Sequence, residues 1–463
     1  MSDHVVFVDG GRIVEEDRPE DVWTPRRGPH QGVPRVVRER VMSAVPGPVV
    51  VVGGGVVGLC TADYLAAAGL QVEVVERRRL GSGASRGNAG WVCLSHSTPV
   101  PAPGVVRYAL RSLGRPDSPL YLRPLPDPAF VRWLWRFRRS STPAVFRRGY
   151  AAIAELNRET FGLFDGLREA GVDTTLTRPG TVHAFLSPAE ARHHLAIQRE
   201  MADGHYPVPD DIVTGAGAHL LDEALSPAVR AAYLVAGEGV VDLEAFARAL
   251  GEALAASGVK IHENAEVTGF RTAGGRVTAL RTADRELPCA AVVAAGMRSP
   301  DLLGVLGRHL PLQAGKGYSF SVDLDPAPRH TLYFGERRAV ASPIGGTTRI
   351  GGTMELSGNN KPSRLAPCRR GRPRRPALPG PLVRRPGRPG RPDPGPLGGR
   401  PFLPDGLPVI DRVPGHDNAF AATGHGMLGV TLGPVTGHRL AEYVVTGRRP
   451  EALVPFRFDR LRS

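Results

Sequence analysis

Cysteine is scarce in this chain. The four that occur, Cys60, Cys93, Cys289 and Cys368, are scattered and form no C-x-x-C pair. That excludes a disulfide framework and argues against a cysteine zinc site, so we expect no metal centre. Long apolar runs are also missing; none approaches the roughly 20 residues of a membrane helix. The N-terminus has no basic-then-apolar leader. We therefore expect a cytoplasmic protein, with at most peripheral contact at the inner face of the membrane. No G-x-x-x-x-G-K-[ST] occurs, which excludes ATP held in a phosphate-binding loop of that kind.

Positive charge is plentiful but concentrated. The net charge is +14, and +10 of it falls between Arg364 and Arg400, where eleven Arg face one Asp. Charge confined to one stretch is not a nucleic-acid-binding surface, and no nucleic-acid partner is expected. The stretch is nearly all Arg, Pro, Gly, Leu and Ala, with neither a strand nor a helix period. Proline at this density removes backbone donors, so no regular element is expected there. One reading is a disordered insertion. Ordinary folded sequence on both sides favours another: a compensated frameshift over about residues 363–398.

The first 41 residues also look foreign. VVFVDGGRIVEEDRPEDVWTPRRG resembles the tail of the ATPase subunit of polar-amino-acid ABC transporters. The alternative is a short β-hairpin extension. Met42 is the expected natural start, and an importer gene next door would point weakly to an amino-acid substrate.

The most informative segment is PVVVVGGGVVGLCTADYLAAAGLQVEVVER. Val49–Val52 reads as a strand buried on both faces. Gly53, Gly55 and Gly58 follow as G-x-G-x-x-G, for a tight turn, close approach to a pyrophosphate, and close helix–strand packing. A helix is expected from about Val56 to Ala68, with Val56 and Val57 in its first turn, where free N–H groups face the phosphates. A second strand, Gln71–Val75, ends at Glu76, an acid able to accept both ribose hydroxyls. A 2′-phosphate would be repelled there, which disfavours NADP; Arg77 could soften this, but the neighbouring Arg78 and Arg79 suggest a solvated basic turn.

NAD and FAD share this fingerprint, and the next residues decide between them. RRRLGSGASRGNAGWV resembles the flavin loop of the D-amino-acid oxidase family, which includes glycine oxidase, sarcosine oxidase and bacterial D-amino-acid dehydrogenases. The resemblance implies non-covalent FAD, with Ser82, Ser85, Asn88, Ala89 and Gly90 at the flavin site. Three further segments match in order. EGVVDLEAFARALGEALAASGVKIHENAEVTGF supplies a helix over about Leu243–Ala256 and Val267 at the adenine. AAVVAAGMRSPDLL supplies Ala295 and Gly296 at the end of a strand. NAFAATGHGMLGVTLGPVTGHRLAEYVVTG supplies Gly424, Gly426, Met427, Leu428, Gly429 and Thr431 beside the isoalloxazine, before a helix beginning near Leu432.

For an amino-acid substrate an arginine is the expected carboxylate anchor. The family's W-x-G-x-R-P segment matches Pro396–Pro401, with Pro396 in place of Trp, and implies Arg400. Tyr318 and His425 are the other catalytic candidates; Tyr333 is a further phenol of interest. The implied reaction is oxidative deamination of a D-amino acid, with hydride passing from Cα to flavin N5 and electrons then leaving for a quinone or another carrier. A glycine- or sarcosine-type oxidase, or the impaired product of a damaged gene, are the alternatives. The expected fold class is α/β (α+β overall): a Rossmann-type FAD-binding domain (42–100, 231–310 and 401–463) and an antiparallel-sheet substrate domain (101–230 and 311–362), with the Arg/Pro-rich segment at 363–400. Residues 150–171 read as one amphipathic helix, and 331–355 as a β-meander.

Overall fold

Alternate residues of Val49–Val52 face opposite ways, and all four are buried. Val49 and Val51 join one hydrophobic cluster and Val50 and Val52 another, as the two-residue repeat of a strand requires. The computed structural model describes residues 5–9, 12–17, 47–111, 120–122, 127–203, 205–359, 383, 386–392 and 399–462. In it, Val49–Val52 lies inside a six-stranded sheet ordered Lys260–His262, Val72–Val75, Val49–Val52, Ala290–Val293, Ala419–Thr423, Val409–Arg412. All neighbours are parallel except the last pair.

Helices cover one face: Val56–Ala67, Leu243–Ala256 and Gly433–Thr446, joined by Ile153, Leu156, Phe164 and Leu167 from the first half of the chain. A three-stranded antiparallel sheet (Gly269–Ala273, Arg276–Arg281, Glu286–Pro288) and the helix Ser299–Val305 cover the other. The helices Val56–Ala67 and Gly433–Thr446 meet at glycine. A Cβ on Gly437 would stand 2.6 Å from the Cys60 carbonyl carbon, so their backbones touch.

The second layer is a ten-stranded sheet ordered Pro386–Pro392, Gln313–Leu324, Thr347–Leu356, Ala339–Ile344, Thr331–Phe334, Thr181–Phe185, Ala231–Val235, Val213–Thr214, with Arg400–Phe402 and Leu120–Leu122 paired at its side. The meander over 331–356 is present as expected. Two pairings are parallel, Thr331–Phe334 with Thr181–Phe185 and Leu120–Leu122 with Thr347–Leu356. The other pairings of the large sheet are antiparallel, as expected.

Three expectations are corrected. Residues 150–171 form two helices, Pro143–Asn157 and Thr160–Glu169. The break lets Thr160 Oγ1 donate to Thr431 O at 3.2 Å, and lets Glu159 pair with Arg439 at 2.6 Å. The boundary at residue 231 moves, because Ala231–Val235 pairs with Thr181–Phe185 in the large sheet. Within the Arg/Pro-rich segment, Pro386–Pro392 is a strand after all. It pairs with Gln313–Leu324 through an irregular register at the sheet edge, where proline is tolerated. Val383 is buried against the substrate-side core. The remainder of the proposed frameshift lies outside the described residues. Among the described residues, the N-terminal strands Val5–Asp9 and Arg12–Asp17 pair only with each other.

Candidate active site

The carboxyl ends of the parallel strands open into one cavity. Its wall takes residues from every segment of the nucleotide fold: Gly53, Gly55, Val56 and Val57; Glu76 and Arg77; Ser82, Ser85 and Asn88; Val267; Ala295 and Gly296; Gly424, Gly426 and Gly429. Arg400 and His425 share it. Ligands of open α/β sheets sit at this edge.

The turn at Gly53 has φ +117°, and a Cβ there would meet the Ala294 carbonyl oxygen at 2.6 Å. Only glycine makes that turn without moving the neighbouring strand. At Gly55, which lies on the wall, a Cβ would meet no protein atom nearer than Ser85 Oγ at 3.6 Å. It would instead fill the cavity where the helix Val56–Ala67 presents its positive end. Glu76 ends the second strand. Its Oε2 accepts from Gly54 N (2.8 Å) and its Oε1 from Arg78 N (2.9 Å), which fixes the carboxylate and leaves lone pairs over for ribose hydroxyls. Ser85 Oγ accepts from Val56 N at 3.2 Å, and Asn88 Oδ1 accepts from Gly90 N at 2.8 Å. These bonds shape the small-residue loop around the first turn of the helix. A glycine cradle, a helix N-terminus and a fixed acid together fit a flavin adenine dinucleotide.

Other predicted residues stand behind the wall. A Cβ on Gly58 would lie 1.9 Å from Gly53 O, so this residue serves helix–strand contact. Gly90 packs on the Val241 carbonyl, and Ala89 lies beside Gly351. Thr431 Oγ1 accepts from Cys93 N at 3.4 Å, Leu428 joins the core, and Met427 is exposed. Tyr318 is not on the wall either; its hydroxyl donates to Glu355 at 2.7 Å. A register shift between Lys316 and Tyr318 in the pairing with Thr347–Leu356 sets this facing, and no sequence pattern announces it. Conversely, Leu243, Glu266, Met297 and Arg298 line the cavity without having been singled out. They sit beside recognisable motifs rather than within them.

Arg400 is held in the strand Arg400–Phe402, antiparallel to Gln313–Leu324, with Gly315 opposite. Its guanidinium lies over Gly317, where a Cβ would come within 2.4 Å of Nη1. Burial lowers its pKa from the usual arginine value. Among the described residues, no carboxylate pairs with it. His425 is fully packed, with Nε2 3.0 Å from Thr436 Oγ1, and burial pushes its pKa down to about 3. The imidazole therefore stays neutral, which suits a hydrogen-bonding role and not that of an acid.

Such a fold and site define a dinucleotide-binding protein of the oxidoreductase type. Comparison with known proteins agrees: residues 48–443 match the FAD dependent oxidoreductase (DAO) family. The chain is 34% identical over 429 residues to a D-amino acid dehydrogenase of Methylobacterium radiotolerans, covering 87% of this chain and 96% of that protein. It is 32% identical to one of Xanthobacter autotrophicus, with coverage of 87% and 96%. Among solved structures, glycine oxidase from Geobacillus kaustophilus superposes with a TM-score of 0.65 at 23% identity, covering 89% of this chain and 98% of that one. The chain belongs to the DAO family of FAD-dependent oxidoreductases, and FAD is its cofactor. The matched region begins at residue 48, so the likeness of the first residues to a transporter ATPase gains no support from it.

Proposed function

We propose that the protein is an FAD-dependent dehydrogenase of D-amino acids. The observation that carries the substrate class is Arg400, a cation on the cavity wall with no carboxylate partner among the described residues. A planar guanidinium in such a place suits a substrate carboxylate, held through two parallel bonds. The relatives that carry the D-amino acid dehydrogenase name, 31–34% identical, supply the stereochemistry. When bound, FAD supplies the two-electron acceptor for the hydride at the substrate Cα. Arg400 orients that carbon, and the neutral His425 holds its place against Thr436. The amine needs only to be deprotonated, so no strong protein base is required.

The test is the visible spectrum of the purified flavoprotein under anaerobic conditions. Bleaching by D-alanine, with none by L-alanine, glycine or sarcosine, is the expected result. Bleaching by glycine or sarcosine alone would transfer the protein to the amine-oxidase branch. Little hydrogen peroxide should form in air if electrons leave to a quinone or another carrier.

A membrane-borne acceptor agrees with the helix Pro128–Ser140. Val131 and Trp135 stand 55% and 54% exposed on it, with Arg132, Arg138 and Arg139 exposed around them. No helix among the described residues is long and apolar enough to cross a membrane. A basic helix with exposed apolar side chains suits binding in the plane of the interface. The double change Val131→Ser, Trp135→Ser should weaken co-sedimentation with anionic phosphatidylglycerol vesicles by about tenfold or more, from the apolar area withdrawn. An unchanged partition would remove the membrane from this proposal.

A further inference from the structure

We infer that His96, His183 and His194 form a binding site for one first-row divalent cation, of which zinc is the natural test. They lie far apart in sequence and come from three elements. His96 sits in the loop after the short strand Trp91–Val92. His183 lies in the strand Thr181–Phe185, and His194 in the helix Pro188–Ala202. One nitrogen of each ring lies within 4.8 Å of the others. A tetrahedral zinc with bonds of about 2.0–2.1 Å sets its ligands about 3.3 Å apart, so nitrogens now within 4.8 Å of one another must close by at most about 1.5 Å on binding.

The unmet hydrogen bonds point the same way. Both ring nitrogens of His183 and Nε2 of His96 are buried without a partner among the described residues. Buried polar atoms are nearly always bonded, so an orphaned nitrogen on each of two adjacent histidines calls for a ligand between them. His194 Nδ1 lies 2.5 Å from the Tyr233 hydroxyl, which leaves Nε2 free to ligate. A second-ring partner of this kind is usual for metal-bound histidine. Tyr233 also stacks on His183, with centroids 4.6 Å apart.

The surroundings hold these rings in place. Glu238 is buried and accepts from Leu94 N (3.0 Å), Ser95 N (2.8 Å) and Trp91 Nε1 (3.2 Å), so it clamps the loop that carries His96. Gln198 Nε2, on the helix of His194, donates to Ser95 O at 3.1 Å. The nearby Arg338 turns its guanidinium over the Tyr108 ring. With imidazole ligands and no thiolate among the three, zinc, copper, nickel or iron fit in preference to magnesium or calcium. The fourth position falls to water. A metal here would tie the flavin-side loop to the substrate-side sheet, so its role is to brace the two halves.

The test uses the full flavin-loaded chain, stripped with chelator, dialysed against zinc sulfate and desalted. Elemental analysis should find about one zinc per chain, and less than a tenth of that in His183→Gln with its flavin content unchanged. Tyr233→Phe should weaken zinc binding about 10- to 100-fold in competition with a chelating dye. X-ray absorption at the zinc edge of the unaltered protein should show imidazole nitrogens at about 2.0–2.1 Å. That measurement decides the matter if the His183 variant fails to fold. Zinc no higher in the unaltered chain than in the His96→Gln, His183→Gln, His194→Gln triple variant would overturn the site. So would an edge spectrum without imidazole. None of these readings depends on which amino acid is oxidised.

Discussion

Alanine at Arg400 should lower kcat/KM for D-alanine by about 30- to 4,000-fold while leaving the flavin content of the protein unchanged. The range follows from the roughly 2–5 kcal/mol lost when one partner of a buried, hydrogen-bonded charge pair is removed, at about 1.4 kcal/mol per factor of ten. The substrate carboxylate would enter a site whose wall no longer answers its charge. Lysine should restore only part of the loss, because a point ammonium cannot reproduce the planar fork. Gly317→Ala tests position rather than charge. The new Cβ would fall 2.4 Å from Nη1 and 2.5 Å from Cζ, so the guanidinium must move aside with its charge intact. A comparable fall in kcat/KM is expected. Steady-state rates with an artificial dye acceptor, beside the flavin absorbance of each variant, measure all three. A change below threefold in Arg400→Ala at full flavin content would take Arg400 out of the substrate site and leave the D-amino-acid reading without its anchor.

How far these features were legible from sequence depends on how locally they are encoded. The strand Val49–Val52, the glycine turn and the helix Val56–Ala67 follow from an apolar run, three glycines and a second, mostly apolar segment within twenty residues. The helices Leu243–Ala256 and Gly433–Thr446 were equally plain, the first capped by Asp242 and the second carrying Pro434 in its opening turn. Readings failed where a distant partner decides. The helix break at Arg158 answers to Thr431 and Arg439, some 270 residues on. The facing of Tyr318 answers to a register shift against another strand. Arg400 ends an arginine-rich run, and composition alone cannot lift it out of that run. Its pairing opposite Gly315 does so. The three histidines show the limit. Residues 96, 183 and 194 share no motif spacing, and only the sheet and its covering helix bring them together.

The other large effect is expected at Gly58, which touches no ligand. Gly58→Val should yield protein with less than a tenth of the normal flavin and a melting temperature several degrees lower. The added Cβ would lie 1.9 Å from Gly53 O and 3.1 Å from Gly53 C. Gly53 cannot give way: its N–H donates to Val75 O at 2.9 Å, and its φ of +117° holds it against Ala294. The helix Val56–Ala67 must therefore lift off the strand by more than 1 Å. That shift also runs into Gly433–Thr446, whose Gly437 already touches the Cys60 backbone. Overpacking of this kind costs about 1–3 kcal/mol in a core able to relax, and more between backbones that cannot. The same movement displaces the first-turn amides and the wall formed by Gly55, Val56 and Val57, so cofactor affinity falls with stability. Gly304→Ala is the control: it lies in the helix Ser299–Val305 with nothing within 4 Å of a new Cβ, and alanine favours a helix. The ratio of flavin to protein absorbance and a thermal melt read both variants. If Gly58→Val keeps its flavin while Gly304→Ala does the same, close helix–strand packing is not what holds this nucleotide site in shape.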